Sequence, residues 1–335
     1  MIRHRIGAEL ARRVAAEVPE WAALVQRAQA HYTRYGQALD FRQAAFPGES
    51  EVERKARLAD ARSCWKPIRR ILRDLQRHKC AYCEQTLPGG EPGLAHFHVE
   101  HIRPVRGAMR WKTDAYTGEA IPARWQTRRG RHYKQTPTPG DGYPWLAFDL
   151  TNLCAACSVC NVALKGSYYP IAGEPGPRDT DPAALDAVER PLLLRPVGDD
   201  GGLSPEDCMT FDGLTPRSWF DPQDPRSEAV AVTVRLLGLS PVATQAGAAG
   251  RRELLVERCY ALDAAWQRIQ AREEAVGRGD EVARAAHDAE LGRLRGAAAM
   301  QTACVRGLVE SFERDPAATA EVMRAVQAVW DQLRG

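Results

Sequence analysis

The chain has 335 residues, 44% of them hydrophobic and 27% charged, which is enough apolar material for two or three cores and excludes a disordered tail. No stretch approaches the ~20 apolar residues of a membrane span, and Met1-Ile-Arg-His-Arg-Ile6 has charge with no apolar run behind it, so a soluble, unexported protein is expected. The net charge of +3 conceals an asymmetry: residues 1–79 carry 17 Lys/Arg against 9 Asp/Glu, residues 80–170 carry 10 against 7, and residues 171–335 carry 19 against 27.

Residues 1–79 read as basic and helical. Leu10, Val14, Val18, Trp21 and Leu24-Val25 recur at three- and four-residue intervals, and a second run from Glu51 to His78 sets Trp65, Ile68, Leu72 and Leu75 on one side. Those stripes are core. Lys66, Arg69, Arg70, Arg73 and Arg77 lie largely off the second stripe and lead straight to Cys80, a placement suited to tracking a polyanion, because Lys and Arg supply most sequence-independent affinity for phosphates.

Residues 80–170 carry the chemistry. Cys80-Ala-Tyr-Cys83 and Cys157-Ser-Val-Cys160 can each present two thiolates from one turn, and together they complete the four-sulfur shell that Zn²⁺ prefers. Cys154-Ala-Ala-Cys157 has the same spacing. Cys157 with Cys160 is the preferred pair because it puts Asn161 directly behind the knuckle and leaves Cys154 as a core thiol. Nine cysteines, an odd number with four at metal spacing, fit a reducing cytoplasm better than a disulfide framework.

Between the two pairs lies Val99-Glu100-His101-Ile102-Arg103-Pro104. A neutral imidazole takes a proton from water near pH 7, and a carboxylate offers hard oxygen to Mg²⁺ or Mn²⁺. Neighbours on a regular strand face opposite ways, so Glu100 and His101 reach one site only where the strand ends, and Pro104 marks such an end. Asn152 and Asn161 offer amide oxygens, the first suited to orienting an imidazole and the second to binding a metal.

The 105–145 insertion alternates Arg106, Arg110, Lys112, Arg124, Arg128, Arg129, Arg131 and Lys134 with Trp111, Tyr116, Trp125 and Tyr133. Cations pair phosphates and ring faces stack on exposed bases; the competing reading is a packed lid whose private core is Trp111 and Trp125. Its turn residues place it on loops. Tyr143-Pro-Trp-Leu-Ala-Phe148 reads as a buried strand, and Asn161 to Gly166 as the start of a helix carrying Lys165 towards a substrate phosphate.

Residues 171–226 begin with a Gly/Pro/Asp-rich linker, 172–182, and continue as a short β-rich patch at Leu192–Leu194 and Met209–Phe211. Residues 227–335 are acidic and helical. Three apolar stripes run through Leu255, Cys259, Leu262, Trp266 and Ile269, then Leu294, Ala297, Cys304, Leu308 and Phe312, then Val322, Val326, Trp330 and Leu333, which indicates a small bundle. Neither a Walker nor a dinucleotide glycine motif is present, so the chain has no energy-coupling machinery of its own.

The order Cys80-x-x-Cys83, Glu100-His101-Ile102-x-Pro104, Asn152-Leu153, Cys157-x-x-Cys160-Asn161-x-x-x-Lys165-Gly166 resembles the HNH (ββα-metal) endonucleases. The resemblance covers Cys80 to about Pro170. It implies an α+β protein in which a zinc-stabilised ββα-metal core is flanked by N-terminal helices and a mainly helical C-terminal domain. It implies that His101 is the general base, that Glu100 and Asn161 hold a catalytic Mg²⁺ or Mn²⁺, and that Asn152 holds His101 through its other ring nitrogen. The implied reaction is hydrolysis of nucleic acid, DNA in first place with RNA still open, to 3′-hydroxyl and 5′-phosphate ends. More loosely, Cys80-Ala-Tyr-Cys-Glu84, Ala156-Cys157 through Lys165-Gly166 and Leu192-Leu-Leu-Arg-Pro196 look like the HNH subunits of Septu-type and retron-associated anti-phage systems, which work with an ATPase partner. The other class open on the same residues is a zinc-ribbon nucleic-acid-binding or adaptor module without cleavage.

Overall fold

The computed structural model describes residues 1–334 apart from 37, 40–44, 88–95, 109–110, 116, 126–141, 199–201 and 242–248, with no side chains described at 60–64, 249 and 250. It is a mixed helix and strand fold. Helices α1 (Gly7–Glu17), α2 (Trp21–Tyr35) and α3 (Glu51–Leu75) precede an antiparallel pair, β1 (Phe97–His101) and β2 (Leu153–Cys157), and a π-helical segment, Val159–Lys165, follows β2 at once. Helix α4 (Pro182–Glu189), the hairpin β3 (Met209–Asp212) and β4 (Thr215–Ser218), and helices α5 (Pro225–Leu236), α6 (Ala249–Arg278), α7 (Glu281–Leu294), α8 (Thr302–Arg314) and α9 (Pro316–Arg334) follow. No helix among the described residues is long and apolar enough to cross a membrane.

Pro19 divides the first apolar stripe into two helices. The residue before a proline is driven out of the helical region, and Val18 sits at φ −131, ψ 70 where α1 stops. Leu10, Val14, Val18, Trp21 and Leu24 are buried, whereas Val25 is exposed. Helix α3 starts on a capping box: Ser50 Oγ accepts from Glu53 N at 3.2 Å, and the Glu53 carboxylate accepts from Ser50 N at 2.7 Å. Its buried face is Ile68, Ile71 and Leu72, with Trp65 and Leu75 packed at the margin. Just past its end, Gln76 acts as a stub of a third strand. Its amide accepts from Ala155 N at 2.7 Å and donates to Ala155 O at 2.9 Å, covering the free edge of β2.

Four expectations change. Tyr143–Phe148 is not a strand: Pro144 cannot donate to a ladder, and Pro144–Leu146 closes as a 3₁₀ turn that still buries Tyr143, Leu146 and Phe148. Leu192–Leu194 is buried outside any strand, and Met209–Asp212 pairs instead with Thr215–Ser218. The 172–182 run is not a loose spacer. Gly173 N donates to Glu189 O at 2.8 Å, and a Cβ there would lie 2.0 Å from Val188 O, so glycine serves close approach to α4. Finally, the stripe from Leu294 to Phe312 is two helices, since α7 ends at Leu294 and α8 begins at Thr302. Gly307 lets α8 ride on β3, where a Cβ would meet Phe211 O at 2.7 Å.

The helical region expected to be acidic carries 15 Asp/Glu against 14 Lys/Arg over 227–335, so the acid excess belongs to 171–226, and the region shares its core with the rest of the chain. One cluster of buried apolar residues extends from Met1 to Val326. A buried carboxylate, Glu84, meets the Met1 ammonium at 2.8 Å and Lys79 Nζ at 3.7 Å, and Lys79 Nζ donates to Thr302 Oγ1 of α8 at 2.9 Å.

His4 is buried in the same neighbourhood, its Nε2 without a hydrogen-bond partner and its pKa lowered by desolvation to about 4. The folded state therefore disfavours the imidazolium, which the unfolded chain takes up near pH 6.5. Stability should be intact above about pH 6.5 and fall by about 3 kcal/mol as pH drops towards 4. In denaturant titrations across that range, His4→Gln should show a shallower loss than wild type; parallel curves would exclude His4 as the source.

Candidate functional site

The four cysteines meet. The sulfurs of Cys80, Cys83, Cys157 and Cys160 all lie within 4.8 Å of one another and all four residues are buried. Cys83 Sγ and Cys157 Sγ are 3.9 Å apart, beside the edge of about 3.8 Å expected for a tetrahedron with ~2.3 Å bonds from zinc to sulfur. Backbone donors aim at the sulfurs, Cys157 N to Cys80 Sγ at 3.3 Å and Cys160 N to Cys157 Sγ at 3.4 Å. Burial pushes the Cys80 thiol up, while hydrogen bonds from the neighbouring sulfurs pull Cys83 down. Ionisation of all four thiols would need a metal such as zinc among them. Cys154 is not a ligand: it sits on β2 opposite Glu100, fully buried, and burial raises its thiol.

The two chemical motifs meet in a second place. Strand β1 ends at His101, residues 102–103 bend away, and Pro104 follows. Glu100, His101 and Asn161 then line one cleft of about 780 Å³, walled by Trp65 and Phe148 and flanked by Lys66, Arg69 and Arg106. The Trp65 ring meets His101 edge-on at 5.8 Å and stacks on Phe148 at 5.5 Å. His101 Nε2 lies 2.9 Å from Ala147 O. A carbonyl only accepts, so Nε2 carries the proton and Nδ1 keeps the lone pair. Burial lowers His101 to about 4, with the Lys165 and Arg106 charges adding to it, so the imidazole is neutral at pH 7.

Two expected roles are corrected. Asn152 does not hold the imidazole; the Ala147 carbonyl does. Asn152 accepts from Arg103 N at 2.7 Å and donates to Arg103 O at 3.1 Å and Leu146 O at 3.2 Å, so it ties the chain after β1 to the turn before β2. Lys165 is not exposed to a substrate phosphate. It is fully buried, ion-paired with Glu100, and donates to His101 O at 3.0 Å. Burial raises the Glu100 carboxyl above the usual range and Lys165 pulls against that shift. Glu100 Oε1 meets the ammonium as a charge contact without hydrogen-bond geometry. The Glu100 carboxylate and the Asn161 amide in the same cleft are oxygen donors of the kind hard cations take, with the Lys165 ammonium already on Glu100 Oε1.

Arg128, Arg129, Arg131 and Lys134 lie outside the described residues. The described part of the insertion packs as a lid: Trp111 and Trp125 are buried and stack at 6.4 Å, Arg124 and the Trp125 indole both reach Glu228 of α5, and Arg235 pairs with Asp114 and Glu119. On α3, Arg70 pairs with Glu17 and Arg73 with Asp74.

Residues that sequence reading missed hold the site in place. Arg103, two positions after His101, is 2% exposed, pairs with Glu189 and Asp186 of α4, and lies over the Tyr143 and Tyr169 rings at 5.1 and 4.8 Å. Its position inside the motif was a usable signal; that of Glu189 was not. No family model, curated protein or solved structure matches the chain.

Metal analysis should find about one zinc per wild-type chain and none after Ser replacement of Cys80, Cys83, Cys157 or Cys160, with lower thermal stability, whereas Cys154→Ser keeps its metal. Loss of zinc from Cys154→Ser would move the centre. Lys165→Met should cost about 3–5 kcal/mol in denaturant unfolding, because it leaves Glu100 buried without its cation; an unchanged midpoint would show the pair to be dispensable.

Proposed function

We propose that the chain is a metal-dependent endonuclease of the HNH type that hydrolyses phosphodiester bonds of DNA, acting in anti-phage defence beside an ATPase. The observation that carries the reading is the convergence of Glu100, His101 and Asn161 on one cation-flanked cleft next to four clustered cysteines. The short antiparallel pair followed directly by the 159–165 helical segment supports a ββα unit. The defence role and the ATPase rest on the resemblance of Cys80–Glu84, Ala156–Gly166 and Leu192–Pro196 alone.

The chemistry follows from the tautomer. With Nε2 donating to Ala147 O, Nδ1 of His101 removes a proton from water, and the hydroxide attacks phosphorus in line. The bond to the 3′ oxygen breaks, giving 3′-hydroxyl and 5′-phosphate ends. The low pKa keeps the imidazole unprotonated, and the Ala147 carbonyl and Trp65 edge fix its plane. A divalent ion held by Glu100 and Asn161 would supply charge neutralisation at the phosphoryl and leaving oxygens. Lys66, Arg69 and Arg106 take the backbone phosphates on either side.

Plasmid cleavage by the purified full chain in Mg²⁺ or Mn²⁺ tests this, with and without the neighbouring ATPase. His101→Ala should lose about 10²–10⁴-fold in rate while retaining its fold and zinc. Cleavage at the wild-type rate by that variant would remove His101 from the mechanism, and DNA binding without cleavage in any metal would favour the adaptor reading. Alanine at Lys66, Arg69 and Arg106 together should weaken binding to DNA of any sequence and flatten the log–log salt slope by up to about three units, at ~0.9 per phosphate contact. An unchanged slope would take the cleft out of the backbone path.

A further inference from the structure

Arg251 is one of many arginines in the acidic helical half, and nothing in the sequence sets it apart. In the fold it is 1% exposed, on the first turn of α6, and donates from Nη2 to Cys160 Sγ at 3.1 Å. A guanidinium is protonated at every relevant pH, and a buried charge is tolerated only beside a compensating one. Neutral thiols would offer it a weak acceptor. Four thiolates around Zn²⁺ carry a net charge of about −2, which a single arginine partly neutralises.

The same helix touches the cysteine turns again. The Glu257 carboxylate accepts from Thr86 N at 3.2 Å and from Gln301 Nε2 at 3.2 Å, and Gln301 also donates to Cys83 O at 3.3 Å. Gln301 holds a left-handed backbone, φ +47, immediately before α8. Helix α6 and the residue before α8 therefore both reach the cysteine turns, and Arg251 places a cation on sulfur itself.

Resting on the four-cysteine metal centre, we propose that Arg251 is a positioning residue of that centre, its charge stabilising the all-thiolate, zinc-loaded cluster and fastening α6 to the metal. Zinc then organises more than the two cysteine turns: its loss releases the start of α6.

Zinc competition against a chromophoric chelator on the full chain tests the proposal, comparing wild type with R251M, R251K and R258M. Arg258 is the control: it is on the same helix and equally buried, but donates to backbone, Leu214 O at 3.1 Å and Leu239 O at 2.6 Å. R251M should bind zinc about 10–100-fold more weakly, the range seen when a group supporting a metal ligand is removed. R251K, which keeps the charge, should recover part of that loss, and R258M should lower thermal stability while holding zinc as wild type does. Hydrogen exchange on zinc removal from wild type should rise at 251–262 as well as at 80–83, a readout that stands even if R251M does not fold. Wild-type zinc affinity in R251M, equal loss in R258M, or an exchange increase confined to the cysteine turns would each overturn the role of Arg251. Absence of zinc from the wild-type chain would instead overturn the metal centre itself.

Discussion

Four sulfur atoms within 4.8 Å of one another, all buried, form a ready-made shell for a metal such as zinc, because as thiolates they would need a cation among them. That constraint orders much of what surrounds it. Cys157 closes β2 and Cys160 begins the helical segment, so the cluster pins the turn that carries Asn161 into the cleft. Cys80 and Cys83 bind the end of α3 to the same point, and α3 brings Lys66 and Arg69 to the opposite wall. The cleft thus has two sides because the sulfur centre joins two segments more than seventy residues apart in the chain.

The second fixed point is a buried cation without a metal. Arg103 is held by Asp186 and Glu189 and by two tyrosine rings, and Tyr143 OH donates to Glu189 at 2.9 Å. Removing a partner from such a buried set is costly, so residues 102–104 have one path away from β1. Asn152 closes that path by pairing both backbone groups of Arg103. His101, immediately upstream, is aimed by this loop and by the Ala147 carbonyl, not by a side chain of its own. The motif is positioned by charge and backbone pairing from elements that share no pattern with it.

What the sequence made legible follows from how local each signal is. Cysteine spacing found the four-cysteine cluster, the position of Asn161 behind the knuckle decided for Cys160 over the equally spaced Cys154, and proline marked the end of β1, because each encodes geometry within a few residues. Helical stripes found α3 and most of α6. Polar residues were harder to place. Asn152 and Lys165 occupied the right stretch but their partners are set by tertiary packing, so an amide expected on an imidazole bonds backbone, and a lysine expected in solvent neutralises Glu100. Arg251 was invisible because a buried arginine and an exposed one look alike in a helix.

Charge asymmetry illustrates the same difficulty at larger scale. A region with more acids than bases should turn from a phosphate backbone if its charges face solvent. Here several are spent internally: Glu228 takes Arg124 and the Trp125 indole, Glu206 takes Arg306, and Glu189 takes Arg103. These acids lie within residues 171–335, and two of the three arginines, Arg103 and Arg124, lie within residues 80–170. Such cross-pairs convert a compositional gradient into fastening between regions. Lys66, Arg69 and Arg106 line the cleft and are distinguished by where they lie, not by how many basic residues surround them in the chain. A net-charge count locates polyanion affinity only after internal pairing has been subtracted, and pairs such as Arg124 with Glu228 and Arg103 with Glu189 remove cations that composition alone would have counted.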